Sequence, residues 1–83
     1  MAEDLVSNAG TERTREACVA AAQARATAIG RAVGVYQHVG GRHPKRGQVQ
    51  ATGQHMWRDL TDGEGRTLGT PKFVWAEVEV VQP

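Results

Sequence analysis

The chain has 83 residues, the length of one small domain, and we expect residues 1–83 to fold as a single unit. Its hydrophobic content of 40% excludes a compositionally disordered chain, and its single cysteine, Cys18, excludes an internal disulfide. The first six residues are acidic and lead into no long apolar run, which predicts neither a signal peptide nor a membrane span. We therefore expect by default a cytoplasmic or virion-internal location, of which we take the cytoplasmic one, and no membrane partner.

The net charge of +1 hides a segregation of charge along the chain. Three carboxylates give residues 1–12 a charge of −3, and eight cations with Glu16 give residues 13–58 a charge of +7. Five carboxylates and two cations then give residues 59–83 a charge of −3. A basic middle between acidic ends indicates an anion-binding surface, complementary patches for self-association, or a solvated helix face beside a basic loop.

The first long element is an amphipathic helix from Glu12 to about Val33, with Thr11 as its N-cap and Gly34 as its stop. At about 100° per residue, one face of this helix holds mostly small groups, from Cys18, Ala22, Ala26, Ile29 and Val33. Such a thin face predicts close packing of the helix on a sheet or on another helix. Arg25 falls near this apolar stripe, where it either snorkels from the edge or reaches a partner.

Three segments with strand character follow the helix: Val35–Val39, residues 48–60 with an interruption at Gly53, and Phe73–Val81. Leu5-Val6 is a candidate for a further short strand. Glycines bound an exposed loop over residues 40–47, and residues 62–65 form a turn signal. We predict an α+β fold in which one long amphipathic helix packs on an antiparallel sheet of three strands, or of four if Leu5-Val6 joins it.

Alternation along the last strand predicts a core face formed by Val74, Ala76, Val78 and Val80, with aromatic and acidic side chains on the other face. Exposed aromatics on a sheet indicate a protein partner or a second subunit. The leading hypothesis is a small non-enzymatic interaction or assembly protein, which self-associates or docks on a larger protein through this aromatic face. Its predicted interface residues are Tyr36, Trp57, Phe73, Trp75, Glu77 and Glu79.

The alternative is a nucleic-acid-binding module that uses the basic loop with nearby aromatic rings. Lysine and arginine grip phosphates without sequence preference, and aromatic rings stack on bases. Glu77 and Glu79 argue against this alternative, because they would repel a phosphate backbone lying across the aromatic face. The cationic residues that it would use are Arg31, Arg42, His43, Lys45, Arg46 and Arg58.

The sequence predicts no catalytic site, no metal site and no cofactor. The three histidines, His38, His43 and His55, lack the paired short spacings that zinc sites use. Cys18 lies in the apolar stripe of the helix, where we expect a small buried side chain and not an activated nucleophile. No nucleophile stands beside a base, so we expect a protein that works by binding and is not an enzyme.

Overall fold

A computed structural model describes residues 8–83, which form one α-helix and six β-strands. The helix α1 spans Arg15–Ile29 and follows a first strand, β1, at Ala9–Glu12. The remaining strands are β2 (Val33–His38), β3 (Gly41–His43), β4 (Gly47–Val49), β5 (His55–Asp59) and β6 (Trp75–Val81). Within this part of the chain, no helix is long and apolar enough to cross a membrane.

The predicted α+β class is confirmed, because α1 packs on a sheet whose strand pairings are all antiparallel. The four strands of this sheet lie in the order β1-β5-β2-β6, and β3 and β4 form a separate two-stranded hairpin. The fourth strand of the main sheet is Ala9–Glu12. Leu5-Val6, which we considered for that position, lies outside the described residues.

The helix begins later and ends earlier than the sequence predicts. Thr14, not Thr11, is the N-cap, and its hydroxyl accepts a hydrogen bond from the amide of Ala17 at 3.1 Å. The predicted start at Glu12 is wrong because that residue belongs to β1. At the other end, Gly30 has a φ of 68° and donates its amide to the carbonyl of Ala26, a left-handed cap that stops the helix.

The thin apolar face of the helix is confirmed by its burial. Cys18, Ala22 and Ala26 are fully buried, and they pack with Val33, Val35 and Val81 of the sheet. Burial, reinforced by the charge of Glu12, raises the pKa of the Cys18 thiol to about 11. The thiol is therefore protonated and enclosed at neutral pH, as the sequence predicted for a small core side chain.

The predicted core row along the last strand is right at Val78, which packs against the core, and wrong at Val80, because the strand contains a β-bulge. Val35 of β2 pairs with Glu79, but the next residue of β2, Tyr36, pairs with Glu77, so that Val78 is the extra residue. The bulge reverses the alternation, and Val81 enters the core while Val80 is 39% exposed. The strand also begins later than predicted, at Trp75, because Val74 has a left-handed φ of 63° and lies outside it.

Residues 40–47, predicted as a loop, instead contain β3 and the turn to β4. The predicted strand 48–60 is likewise two elements, since Gly53 separates β4 from β5. The turn signal at residues 62–65 is confirmed, because an antiparallel bridge joins Thr61 to Thr67 across it. Arg15 and Gln23 of the helix donate side-chain hydrogen bonds to the carbonyls of Val78 in β6 and of Gln82 just after it, which ties the helix to this strand.

Gly40 offers a test of how closely its backbone approaches residues 49–51 of the hairpin. Its φ is 73°, and a methyl group there would lie 2.6 Å from the carbonyl oxygen of Val49 and 2.6 Å from the amide nitrogen of Ala51. Gly47 has nearly the same φ, 74°, but open space around it. Gly47→Ala should cost about 1 kcal/mol of backbone strain, and Gly40→Ala about 3 kcal/mol. Urea unfolding measures both, and equal losses would contradict the close approach.

Candidate functional site

The register of the sheet divides the predicted interface residues between its two faces. Cross-strand partners share a face, and Val35, which packs under the helix, pairs with Trp57 on one side and Glu79 on the other. Trp57 packs against the core beneath the Arg25 guanidinium, which lies 5.9 Å from the ring centroid. Arg15 forms an ion pair with Glu79 at 3.2 Å. Trp57 and Glu79 therefore lie on the helix face of the sheet and do not belong to the predicted aromatic face.

Tyr36 lies on the opposite, outer face, but its ring is only 2% exposed. A methyl group on Gly34 would lie 2.6 Å from the Tyr36 hydroxyl, so the ring extends over the backbone at that glycine. The hydroxyl has no hydrogen-bond partner among residues 8–83. Burial raises the pKa of Tyr36, the charge of Glu77 raises it further, and the charge of Arg58 opposes both. Tyr36 is therefore a buried side chain of the outer face, and a partner could not contact it directly.

Two ring pairs lie at the end of the sheet where β2 stops and β6 begins. The rings of His38 and Trp75 pack edge to face with centroids 5.0 Å apart, and those of His43 and Phe73 pack with centroids 5.6 Å apart. Val39 is 48% exposed and Phe73 is 47% exposed. We call these five residues the aromatic end patch.

The left-handed Val74 holds the aromatic end patch together. Its carbonyl accepts hydrogen bonds from the amides of Val39 at 2.8 Å and Gly40 at 3.2 Å. This residue turns Phe73 out of the line of β6. The expected single row of Phe73 and Trp75 along one strand face is therefore replaced by a patch in which each ring packs on a different histidine.

The β3–β4 hairpin carries the three exposed cations Arg42, Lys45 and Arg46, and we call it the basic hairpin. The His43 Nδ1 accepts from the amides of Lys45 at 3.1 Å and Arg46 at 3.3 Å, which fixes the turn. The same imidazole ring packs on Phe73, so the basic hairpin and the aromatic end patch are continuous.

The other predicted cations lie apart from the basic hairpin. Arg58 lies on the outer face, where it pairs with Ala9 and Gly34. Arg31 precedes β2 at its Val33 end, whereas the hairpin follows the opposite end of that strand. The six residues of β2 separate the two ends by about 17 Å at about 3.3 Å per residue.

A second feature, which we call the polar cleft, lies at the Val33 end of the sheet and has a volume of about 300 Å³. At its base Arg25 forms two hydrogen bonds with the carboxylate of Asp59, at 2.7 and 3.0 Å, and both side chains are buried. This bond raises the pKa of Arg25, against the opposing effect of burial. The cleft is lined by Asn8, Arg25, Arg31, Asp59, Asp62, Gly63 and Leu68.

Asp62 organises the turn on the rim of the polar cleft. Its carboxylate accepts hydrogen bonds from the amides of Glu64 and Arg66, at 2.8 and 2.9 Å, and from the Nε of Arg66 at 2.8 Å. The backbone hydrogen bond from Arg66 is the main cause that lowers the pKa of Asp62, and the charge of Arg31 lowers it further. Asp62 therefore keeps its charge to a lower pH than an ordinary aspartate does.

The sequence marked Arg25 as anomalous but did not identify its partner. An arginine in an apolar stripe requires a buried carboxylate, and Asp59 is the residue that meets this requirement. Among residues 8–83, no group of three or more histidine, cysteine, aspartate or glutamate side chains converges as a metal site would require. Comparisons with protein-family models, with curated proteins and with solved structures find no match to this chain.

Asp59→Ala should lower the free energy of unfolding by about 3–5 kcal/mol, because the buried Arg25 guanidinium loses its carboxylate. The matched control is Glu79→Ala, which removes an ion pair whose side chains are 55% and 40% exposed. That variant should cost less than about 1 kcal/mol. Chemical denaturation measures both values, and a small loss for Asp59→Ala would show that the buried pair does not hold the helix on the sheet.

Proposed function

We propose that this protein is a non-enzymatic assembly module that self-associates through the aromatic end patch. The observation that carries the proposal is the exposure of Val39 and Phe73, each close to one half, beside two ring pairs at the same end of the sheet. Contiguous apolar surface on a small protein is typical of an interaction site. The proposal places the module in the cytoplasm, where the Cys18 thiol stays reduced.

A second copy of the chain suits this patch on grounds of charge. The basic hairpin adjoins the patch, and Glu77 is exposed on the outer face two residues from Trp75. In a two-fold dimer, Glu77 of each copy can meet the hairpin cations of the other while the rings cover one another.

The proposal assigns no reaction to the ionisable groups. Cys18 is fully buried and its pKa of about 11 keeps the thiol protonated. Arg25 and Asp59 are bound to one another. These groups stabilise the fold that presents the patch, and the activity we propose is binding alone.

Val39→Ser should lower the oligomeric state, because it removes an apolar side chain from the centre of the proposed interface. The matched control is Val80→Ser, at a valine that is 39% exposed on the outer face but at the other end of β6. Light scattering coupled to size-exclusion chromatography measures the mass of each variant. We expect the native chain and Val80→Ser to be oligomers and Val39→Ser to be shifted towards monomer. A native chain that is monomeric at high micromolar concentration would contradict the proposal.

A second candidate function, binding of single-stranded nucleic acid, is favoured by the contact between His43 and Phe73. This contact joins an exposed ring to a basic hairpin, and residues 39–58 contain no aspartate or glutamate. Lys72, which precedes Phe73, is a further exposed cation. The carboxylate of Glu79, which the sequence placed on the aromatic face, is instead paired with Arg15 on the helix face.

The variant Arg46→Ala distinguishes nucleic-acid binding from self-association. If the basic hairpin binds phosphates, each lost contact should reduce the slope of log affinity against log salt by about 0.7 for a single strand. The control is Arg13→Ala, which removes another exposed cation outside the hairpin. Quenching of tryptophan fluorescence by an oligothymidylate measures the affinity. An unchanged slope in Arg46→Ala, or no quenching at low salt, would exclude this candidate without affecting the assembly proposal.

A further inference from the structure

Two histidines of the aromatic end patch accept backbone hydrogen bonds through the same ring nitrogen. The Nδ1 of His38 accepts from the amide of Thr52 at 3.1 Å. The Nδ1 of His43 accepts from the amides of Lys45 at 3.1 Å and Arg46 at 3.3 Å. An imidazole nitrogen that accepts a hydrogen bond carries no proton, so in both rings the proton of the neutral form lies on Nε2.

These hydrogen bonds exist only while the two rings are neutral. An imidazolium ion donates from both nitrogens and has no acceptor. The second proton enters each ring at Nδ1, where a donor then faces the amides that this nitrogen held. Protonation of His43 therefore removes the hydrogen bonds that fix the turn of the basic hairpin, and protonation of His38 removes the one that holds Thr52.

The same two imidazoles support the aromatic side chains of the patch. His38 packs edge to face on Trp75, and His43 packs on Phe73. Both histidines are partly exposed, unlike the buried His55, so solvent can supply the proton. A change of charge at either ring therefore acts on the side chains that the proposed interface covers.

The charged groups packed around the two imidazoles are mainly cations. On the outer face, β6 brings Glu77, opposite Tyr36, and β5 brings Arg58, opposite Gly34. The segment before β6 brings Lys72, and the basic hairpin carries three cations of its own. In a two-fold dimer the carboxylate of Glu77 is already matched by hairpin cations, so the charge of further imidazolium ions adds repulsion between the copies.

We propose that self-association through the aromatic end patch is regulated by pH, with the neutral forms of His38 and His43 required in the associated state. This inference rests on the proposed function, because it names what controls that interface. Histidine side chains change their charge between about pH 8 and about pH 5. The associated state is therefore favoured at the upper end of this range and is lost as the pH falls and both rings gain a proton.

Light scattering of the native chain over a dilution series, at about pH 7.5 and about pH 5.5 and at constant salt, tests the regulation. Ordinary carboxylates stay ionised over this range, whereas histidines change their charge. We expect the dissociation constant to rise at least about tenfold at the lower pH, because hydrogen bonds are lost and repulsion is gained. An oligomer with the same dissociation constant at both pH values would overturn this inference alone. A chain that is monomeric at both would overturn the proposed function as well.

Asparagine variants separate the acceptor from the proton. An asparagine side-chain oxygen can accept the amides two and three residues further on, as in an Asx turn, and it does not titrate. The double variant His38→Asn/His43→Asn should associate more weakly than the native chain at neutral pH, because both ring contacts are lost, but with a nearly constant dissociation constant at the two pH values. The matched control is His55→Asn, at the histidine opposite Glu12, which should keep the native pH response. A double variant with that response would overturn the assignment.

Nuclear magnetic resonance of the native chain measures the hydrogen bonds directly, whether or not the chain associates. The amide shifts of Lys45 and Arg46 should change with the same midpoint as the ring signals of His43. The amide shift of Thr52 should follow the ring signals of His38. Amides that stay unchanged while these two rings titrate would overturn the mechanism.

Discussion

The buried ion pair between Arg25 and Asp59 fixes the helix on the sheet. The apolar face of the helix is made mainly of Cys18, Ala22 and Ala26, whose small side chains allow close approach but give little directional preference. Two hydrogen bonds at 2.7 and 3.0 Å from a buried guanidinium to the end of β5 supply that direction. A buried pair of this kind is not a large source of net stability, but each partner requires the other.

This arrangement leaves the two ends of the sheet free for different uses. At the Val33 end, the ion pair and the turn after β5 surround a polar cleft. At the His38 end, the strands give way to the basic hairpin and the exposed rings. Because the length of β2 separates these ends, a change in one has little direct contact with the other. A small domain can carry two surfaces in this way without a second core.

The fold class, the small side chains of the helix face and the burial of Cys18 followed from composition and periodicity, because these depend on many residues at once. The helix start was missed because Thr11 and Thr14 are both competent caps, and only the pairing of β1 with β5 decides between them. The partner of Arg25 lies 34 residues away, and local sequence does not encode which of the carboxylates the fold brings to it. The predicted interface was divided by the pairing of β5 with β2, which puts Trp57 on the helix face, and by the unforeseen bulge, which puts Glu79 there.

The bulge at Val78 also divides β6 into two halves that tolerate different substitutions. Before it, Trp75 and Glu77 face outwards with the patch, and after it Val81 belongs to the core. Substitutions in the first half can alter recognition while those in the second are constrained by packing. The same strand can therefore diversify at one end and remain conserved in character at the other, whereas loss of a single residue at the bulge would exchange the two faces over the rest of the strand.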